Sequence, residues 1–166
     1  MGLPETNTLE KPQQIEIIEP SPEAKTAAIT ALASELDKEW REARLDAAGK
    51  YEPDIKVTMD NGWITQHGTD KVDIANVDFS DLPSDWQDEN KAAAEVVVNI
   101  LVNSNGVVNL SDSDTRSKVG DTIHTAWLFR HQSAKSGTLD VPFEQLPKSE
   151  QDKDIDQVTV AEELFA

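Results

Sequence analysis

Cysteine is absent from these 166 residues. Its absence excludes disulfides, thiolate nucleophiles and cysteine-ligated zinc, and it fits a reducing compartment. Aromatic residues make up only 5% and apolar residues 37%. The core is therefore expected to be modest: one domain, or two halves sharing one interior. No apolar run approaches the roughly 18 residues of a membrane helix. The first residues also lack the basic and apolar stretches of a cleaved secretion signal. The expectation is a cytoplasmic protein with no membrane partner. Basic residues number 15 against 32 acidic ones, a net charge of −17. A field of that sign repels phosphate backbones, so direct nucleic-acid binding is not expected.

Signatures of catalysis are missing too. His67, His124 and His131 lack the spacing of His-x-x-x-His or His-Glu-x-x-His, so no metal site is expected. Asp112-x-Asp114 has neither the glycine nor the distal glutamate of a calcium loop. There is no Gly-x-Ser-x-Gly and no glycine-rich phosphate loop. With so many carboxylates, no two can be singled out as an acid–base pair. Neither enzymatic activity nor a cofactor is expected.

What the chain does contain is a repetition. Phe79-Ser80-Asp81-Leu82-Pro83-Ser84-Asp85-Trp86-Gln87-Asp88 recurs about 64 residues later as Phe143-Glu144-Gln145-Leu146-Pro147-Lys148-Ser149-Glu150-Gln151-Asp152. Downstream, Ala94, Val96, Val97, Ile100 and Leu101 correspond to Val158, Val160, Ala161, Leu164 and Phe165. Upstream, Leu36-x-x-x-Trp40 corresponds to Ile123-x-x-x-Trp127. An internal repeat sets architecture before any single motif does. A duplicated small unit points to binding or scaffolding, because a catalytic centre generally needs unlike parts.

The first 21 residues, rich in Pro, Glu, Gln and Thr, read as a flexible arm in which Ile15 to Ile18 form one short strand. Gly2-Leu3-Pro4-Glu5-Thr6-Asn7 resembles a sortase recognition peptide. That signal works near a C-terminus ahead of an apolar span and a basic tail, and neither follows. A helix is predicted from Ser21 and Pro22 to about Ala48, with a stripe of Ala28, Ile29, Leu32, Leu36, Trp40 and Ala43 and a stop at Gly49. Ile55–Thr58 and Gly62–Thr65 around Asp60-Asn61-Gly62 read as a hairpin. Val72 to Asn76 then runs extended into the repeated block. Pro83 opens a second helix reaching about Val102, with Ser84 and Gln87 at capping-box spacing. Asn109 to Ser117 reads as a hinge. Helices over about Val119–Gln132 and Pro147–Phe165 complete the second copy.

The fold class expected is mainly α with short strands (α+β): an arm 1–21, a repeat 22–106 with an inserted hairpin, a linker 107–117 and a repeat 118–166. The first copy is longer by about 23 residues between its tryptophan and its phenylalanine, and insertions of this kind often carry the specialised function.

These residues resemble the ryanodine-receptor repeat, a domain also found in bacterial and phage proteins. The likeness is carried by Ile123-His124-Thr125-Ala126-Trp127, Arg130, Leu139-Asp140-Val141-Pro142-Phe143 and Leu146-Pro147, and by Trp40, Arg44, Phe79, Leu82, Pro83 and Gln87-Asp88, with Trp63-Ile64, His67-Gly68 and Asp73-Ile74-Ala75-Asn76 resembling a bacterial variant. It covers roughly residues 30 to 166. It implies a paired-repeat fold with a pseudo-twofold axis and a non-enzymatic module that senses a small ligand or docks a partner protein. Trp40 and Trp127, on apolar helical faces, read first as core anchors. With Arg44, Arg130 and His131 converging across the axis, they would instead wall a pocket for a small anionic, nucleotide-like ligand. The competing reading pairs these cations with nearby carboxylates. Two alternatives rest on other features. The charge fits an acidic nucleic-acid mimic that acts as an anti-defence decoy, and the acidic arm fits a phage structural or assembly component.

Overall fold

The computed structural model describes residues 17–131 and 137–166. Ile17 and Ile18, expected in a short strand, are not in one, and the helix expected to reach Gln132 ends at Arg130; the expectations for residues 1–16 lie outside the described residues. Helix α1, Pro22–Glu42, starts as expected. Ser21 accepts the Ala24 amide at 3.1 Å, and Pro22 occupies the first turn. Its Ala28, Leu32 and Ala33 are fully buried, with Ile29 and Leu36 packed beside them.

The helix does not continue to Ala48. Asp46 Oδ1 accepts the amides of Ala48 at 2.8 Å and Lys50 at 2.9 Å, a local turn that competes with the helical ladder. Leu45 and Tyr51 close that turn as an antiparallel bridge, with Gly49 at its tip at φ +79°.

The predicted hairpin is replaced by a different unit. Strand β1, Ile55–Val57, pairs antiparallel with β2, Lys71–Asp73, in the register Ile55 to Asp73, Lys56 to Val72 and Val57 to Lys71. Between them Asn61–His67 forms helix α2. Asp60 decides this outcome: its Oδ1 accepts the Trp63 amide at 3.2 Å as an N-cap. Gly68, at φ +74°, ends the helix in the left-handed conformation. The residues expected to make a tight β-turn thus open a helix.

A 3-10 turn at Phe79–Asp81 leads into helix α3, Ser84–Asn103. The predicted capping box is not made. Pro83 stands at the N-cap, and the Gln87 side chain turns back to donate to the carbonyls of Ser80 (3.3 Å) and Leu82 (3.0 Å). The unit recurs at Phe143–Gln145, where Gln151 donates to Glu144 O (3.3 Å) and Leu146 O (3.0 Å). Pro147 then caps helix α5, Lys148–Phe165. Between the two, helix α4 spans Ser113–Arg130 and starts earlier than predicted. Asp112 accepts both the amide (3.0 Å) and the hydroxyl (2.7 Å) of Thr115, which turns part of the expected hinge into a first helical turn.

One core joins these elements. Phe79, Leu82, Ala94, Val97 and Leu101 share it with Phe143, Leu146, Val158, Ala161 and Phe165. Helix α3 is central, packing on α1, α4 and α5, while α5 also touches α1 and α4. Ile17 seals one end against Gly106. Nearby, Val108 is buried and its amide donates to Glu162 at 3.0 Å, so the connection between α3 and α4 is held in place. Among the described residues, no helix is long and apolar enough to cross a membrane.

Candidate functional site

The five candidate residues fall into two separate groups. Trp40 and Arg44 lie on and just beyond the last turn of α1. The Arg44 guanidinium sits 4.8 Å from the Trp40 ring centroid, so cation and indole are already stacked. Arg44 also reaches Glu52, with Nε 3.4 Å from the main-chain oxygen and a terminal nitrogen 4.0 Å from the carboxylate. Trp40 is 37% exposed, a rim position rather than the core anchor that its apolar stripe predicted.

Trp127, Arg130 and His131 belong to the end of α4. His131 Nδ1 lies 2.8 Å from the Trp127 carbonyl, and its ring stacks on the indole at 4.5 Å between centroids. A carbonyl only accepts, so Nδ1 carries hydrogen and Nε2 is left facing Glu89 at 3.4 Å. Arg130 Nε meets the same Glu89 oxygen at 3.3 Å. One carboxylate on α3 therefore faces both side chains. Trp127 is half-buried and, like Trp40, lies outside the buried core.

The spacing hides a third member. Trp63 and His67 stack at 3.9 Å between centroids, with His67 Nδ1 2.9 Å from the Trp63 carbonyl. In all three pairs a basic residue follows tryptophan by four, which one helical turn places over the ring. For Trp63 and His67, which the sequence brings together only through the resemblance, the same spacing gives the stack directly.

Two buried polar groups sit deeper. Asp37 on α1 is held by Arg41 Nε at 3.0 Å, and Arg41 extends to Asp78 at 3.3 Å, tying α1 to the start of the first 3-10 turn. Burial raises the Asp37 pKa against the pull of Arg41, and Asn90 adds a hydrogen bond. On α4, buried His124 points Nε2 at the carbonyls of Leu139 and Val141, both at 2.9 Å. Two acceptors fix the hydrogen on that nitrogen. The neighbouring Asp154 on α5 is raised to about 6, first by burial and then by Glu150, while His124 pulls it down.

Two shallow depressions mark the surface. One lies along the outer face of α1 from Pro22 to Ala31. The other, of about 660 Å3, runs between α3 and α4 and takes in Ala92, Val96, Ala126, Phe129 and Arg130. Neither is lined by both candidate groups, so no two-tryptophan pocket is formed by them. No group of three or more potential metal ligands occurs among the described residues. No protein-family model matches the chain, and no curated protein or solved structure is significantly similar to it.

Proposed function

We propose that the chain is a non-enzymatic docking module of two ryanodine-receptor-like repeats, of bacterial or phage type, that engages a partner protein. The repeat reading is supported by the glutamine-locked Leu-Pro turn at both Gln87 and Gln151. Matched burial of Ala94, Val97 and Leu101 with Val158, Ala161 and Phe165 adds to it. So does the packing scheme: each tryptophan helix contacts its own following helix and that of the other copy, the pattern a pseudo-twofold axis generates.

Docking is favoured over anion sensing by one observation. The candidate basic side chains already have carboxylate neighbours, Arg44 in Glu52 and Arg130 with His131 in Glu89. Meanwhile large apolar side chains such as Met59 and Phe129 stand 83% and 77% exposed. An anion would have to displace bound carboxylates, whereas a protein surface would gain by covering apolar area. Carboxylates that cap turns and helices, such as Asp60, Asp85 and Asp112, support this reading over an acidic decoy, because their charge has structural work.

Two measurements test the reading. A thermal-shift screen over nucleotides and inorganic phosphate should give no rise in Tm. A rise abolished by Arg44→Ala or Arg130→Ala would restore the anion-sensing pocket. Photo-crosslinkers at positions 59 and 129, used in the native host, should trap one discrete protein. Failure to trap any protein from either position would overturn docking.

A further inference from the structure

The docking reading leaves open where a partner sits and what it is made of, and the trough between α3 and α4 bears on both. Its floor is apolar or methyl-bearing: Ala92 and Val96 from α3, Thr122, Ala126 and Phe129 from α4. It lies open to solvent between two packed helices, the shape that accepts a third helix laid lengthwise by its apolar face. Nothing about the fold demands such a surface. Aligning the copies on Trp40 and Trp127, and on Phe79 and Phe143, places Asp156 and Val160 opposite Ala92 and Val96, with Glu35, Glu39 and Glu42 opposite Thr122, Ala126 and Phe129. The corresponding strip in the other half is thus strongly charged, the ordinary solution for a solvent-facing helix pair.

Charge identifies the occupant. Asp88 and Glu95, both exposed, stand one turn to either side of Ala92 on α3. Asp121 lines the trough from α4, and Glu89 already holds Arg130. Against these four carboxylates stand Arg130, Lys91 between Asp88 and Glu95 on α3 and, one turn before Thr122, Lys118, which leaves the rim a small acidic excess. A slightly acidic rim around an apolar lining, on a chain of net charge −17, complements an apolar stripe bordered by lysine and arginine. Resting on the docking reading, we propose that the α3–α4 trough receives a basic amphipathic helix of a partner protein.

The test uses the full chain and a fluorescent peptide of about 18 residues, with leucines on one helical face and lysines on the other. Two controls accompany it: the same peptide with glutamate for lysine, and a scrambled peptide of unchanged charge that has lost its stripe. The leucine–lysine peptide should bind at least about tenfold tighter than either control, and Phe129→Ala and Val96→Ala should each weaken it by about tenfold, the loss typical of an interface anchor. Amide shifts on titration should centre on α3 and α4. Circular dichroism identifies any variant that has merely unfolded, and Thr125→Arg, on the exposed face of α4, blocks the trough independently. Equal binding of the scrambled peptide would reduce the effect to bulk charge and overturn the proposal, as would affinity unmoved by Phe129→Ala and Thr125→Arg. A self-association lost in Phe129→Ala would make a second copy the occupant and overturn it also. None of these failures touches the docking reading, which stands or falls on the crosslinking.

Discussion

Gly120 lies where α4 crosses the second 3-10 turn, and a β-carbon there would overlap the Phe143 ring. The position aligned with it in the first copy is Ala33, fully buried on α1. One methyl therefore separates the two crossings. Gly120→Ala should destabilise the protein by about 1–3 kcal/mol, the usual cost of overpacking, despite the better helix propensity of alanine. Urea denaturation checks this, and Phe143→Leu in the same chain should recover part of the loss. The buried polar positions differ in a second way. Asp37 meets an arginine, whereas His124 is fixed between two carbonyls with Asp154 nearby. Removing the guanidinium in Arg41→Ala leaves the Asp37 carboxylate buried without its ion partner, a loss of about 3 kcal/mol or more. Asp37→Asn/Arg41→Ala should be less destabilised than Arg41→Ala alone, which the same titration reads out.

Helix boundaries turn on single side chains. Asp60 accepts amides from two helices: Oδ1 from Trp63 in α2 and Oδ2 from Ser84 in α3, at 3.2 and 2.9 Å. Asp85 returns the contact, accepting Thr58 Oγ1 at 2.6 Å and the Met59 amide at 2.9 Å. The insertion is thereby clamped to the start of α3. Asp60→Ala should lower the melting temperature and loosen amide protection in both helices, while Asp60→Asn, which keeps an acceptor oxygen, should restore most of it. This clamp also marks the reach of sequence reasoning. The α1 start at Ser21 and Pro22 and the twin Leu-Pro turns were legible because their determinants lie within a few residues. Asp60-Asn61-Gly62 fits a hairpin turn and a helix cap equally well on local grounds, and the Ser84 amide that holds the second Asp60 oxygen in place for the cap is remote in the chain. The site follows the same rule. Tryptophan with a basic residue four positions on is a local pattern. That Glu89 would be the carboxylate, among 32 acidic residues, to meet Arg130 and His131 depended on how α3 lies against α4.

At the scale of the whole molecule, charge makes stability depend on pH in two opposed windows. Asp60, Asp73, Asp112 and Asp152 have lowered pKa values in the folded state, through hydrogen bonds to their carboxylates and, at Asp152, the Lys148 ammonium. Their contribution is present above the ordinary carboxyl range and is lost as pH falls through the lowered values. Asp154 behaves oppositely. Its folded pKa of about 6 exceeds the unfolded one, so between about 4 and 6 the folded chain binds more protons than the unfolded. Its contribution therefore declines as pH rises through that window and is least favourable above it. Asp154→Asn removes the half-buried charge, and after allowance for solvent screening should stabilise the protein by about 1 kcal/mol at pH 7. That advantage should shrink towards pH 4. Urea midpoints for both chains at pH 4, 5, 6 and 7 should converge at the acid end and separate at neutrality. Parallel curves would mean that Asp154 keeps an ordinary pKa and that its partial burial in the folded chain carries no charge penalty.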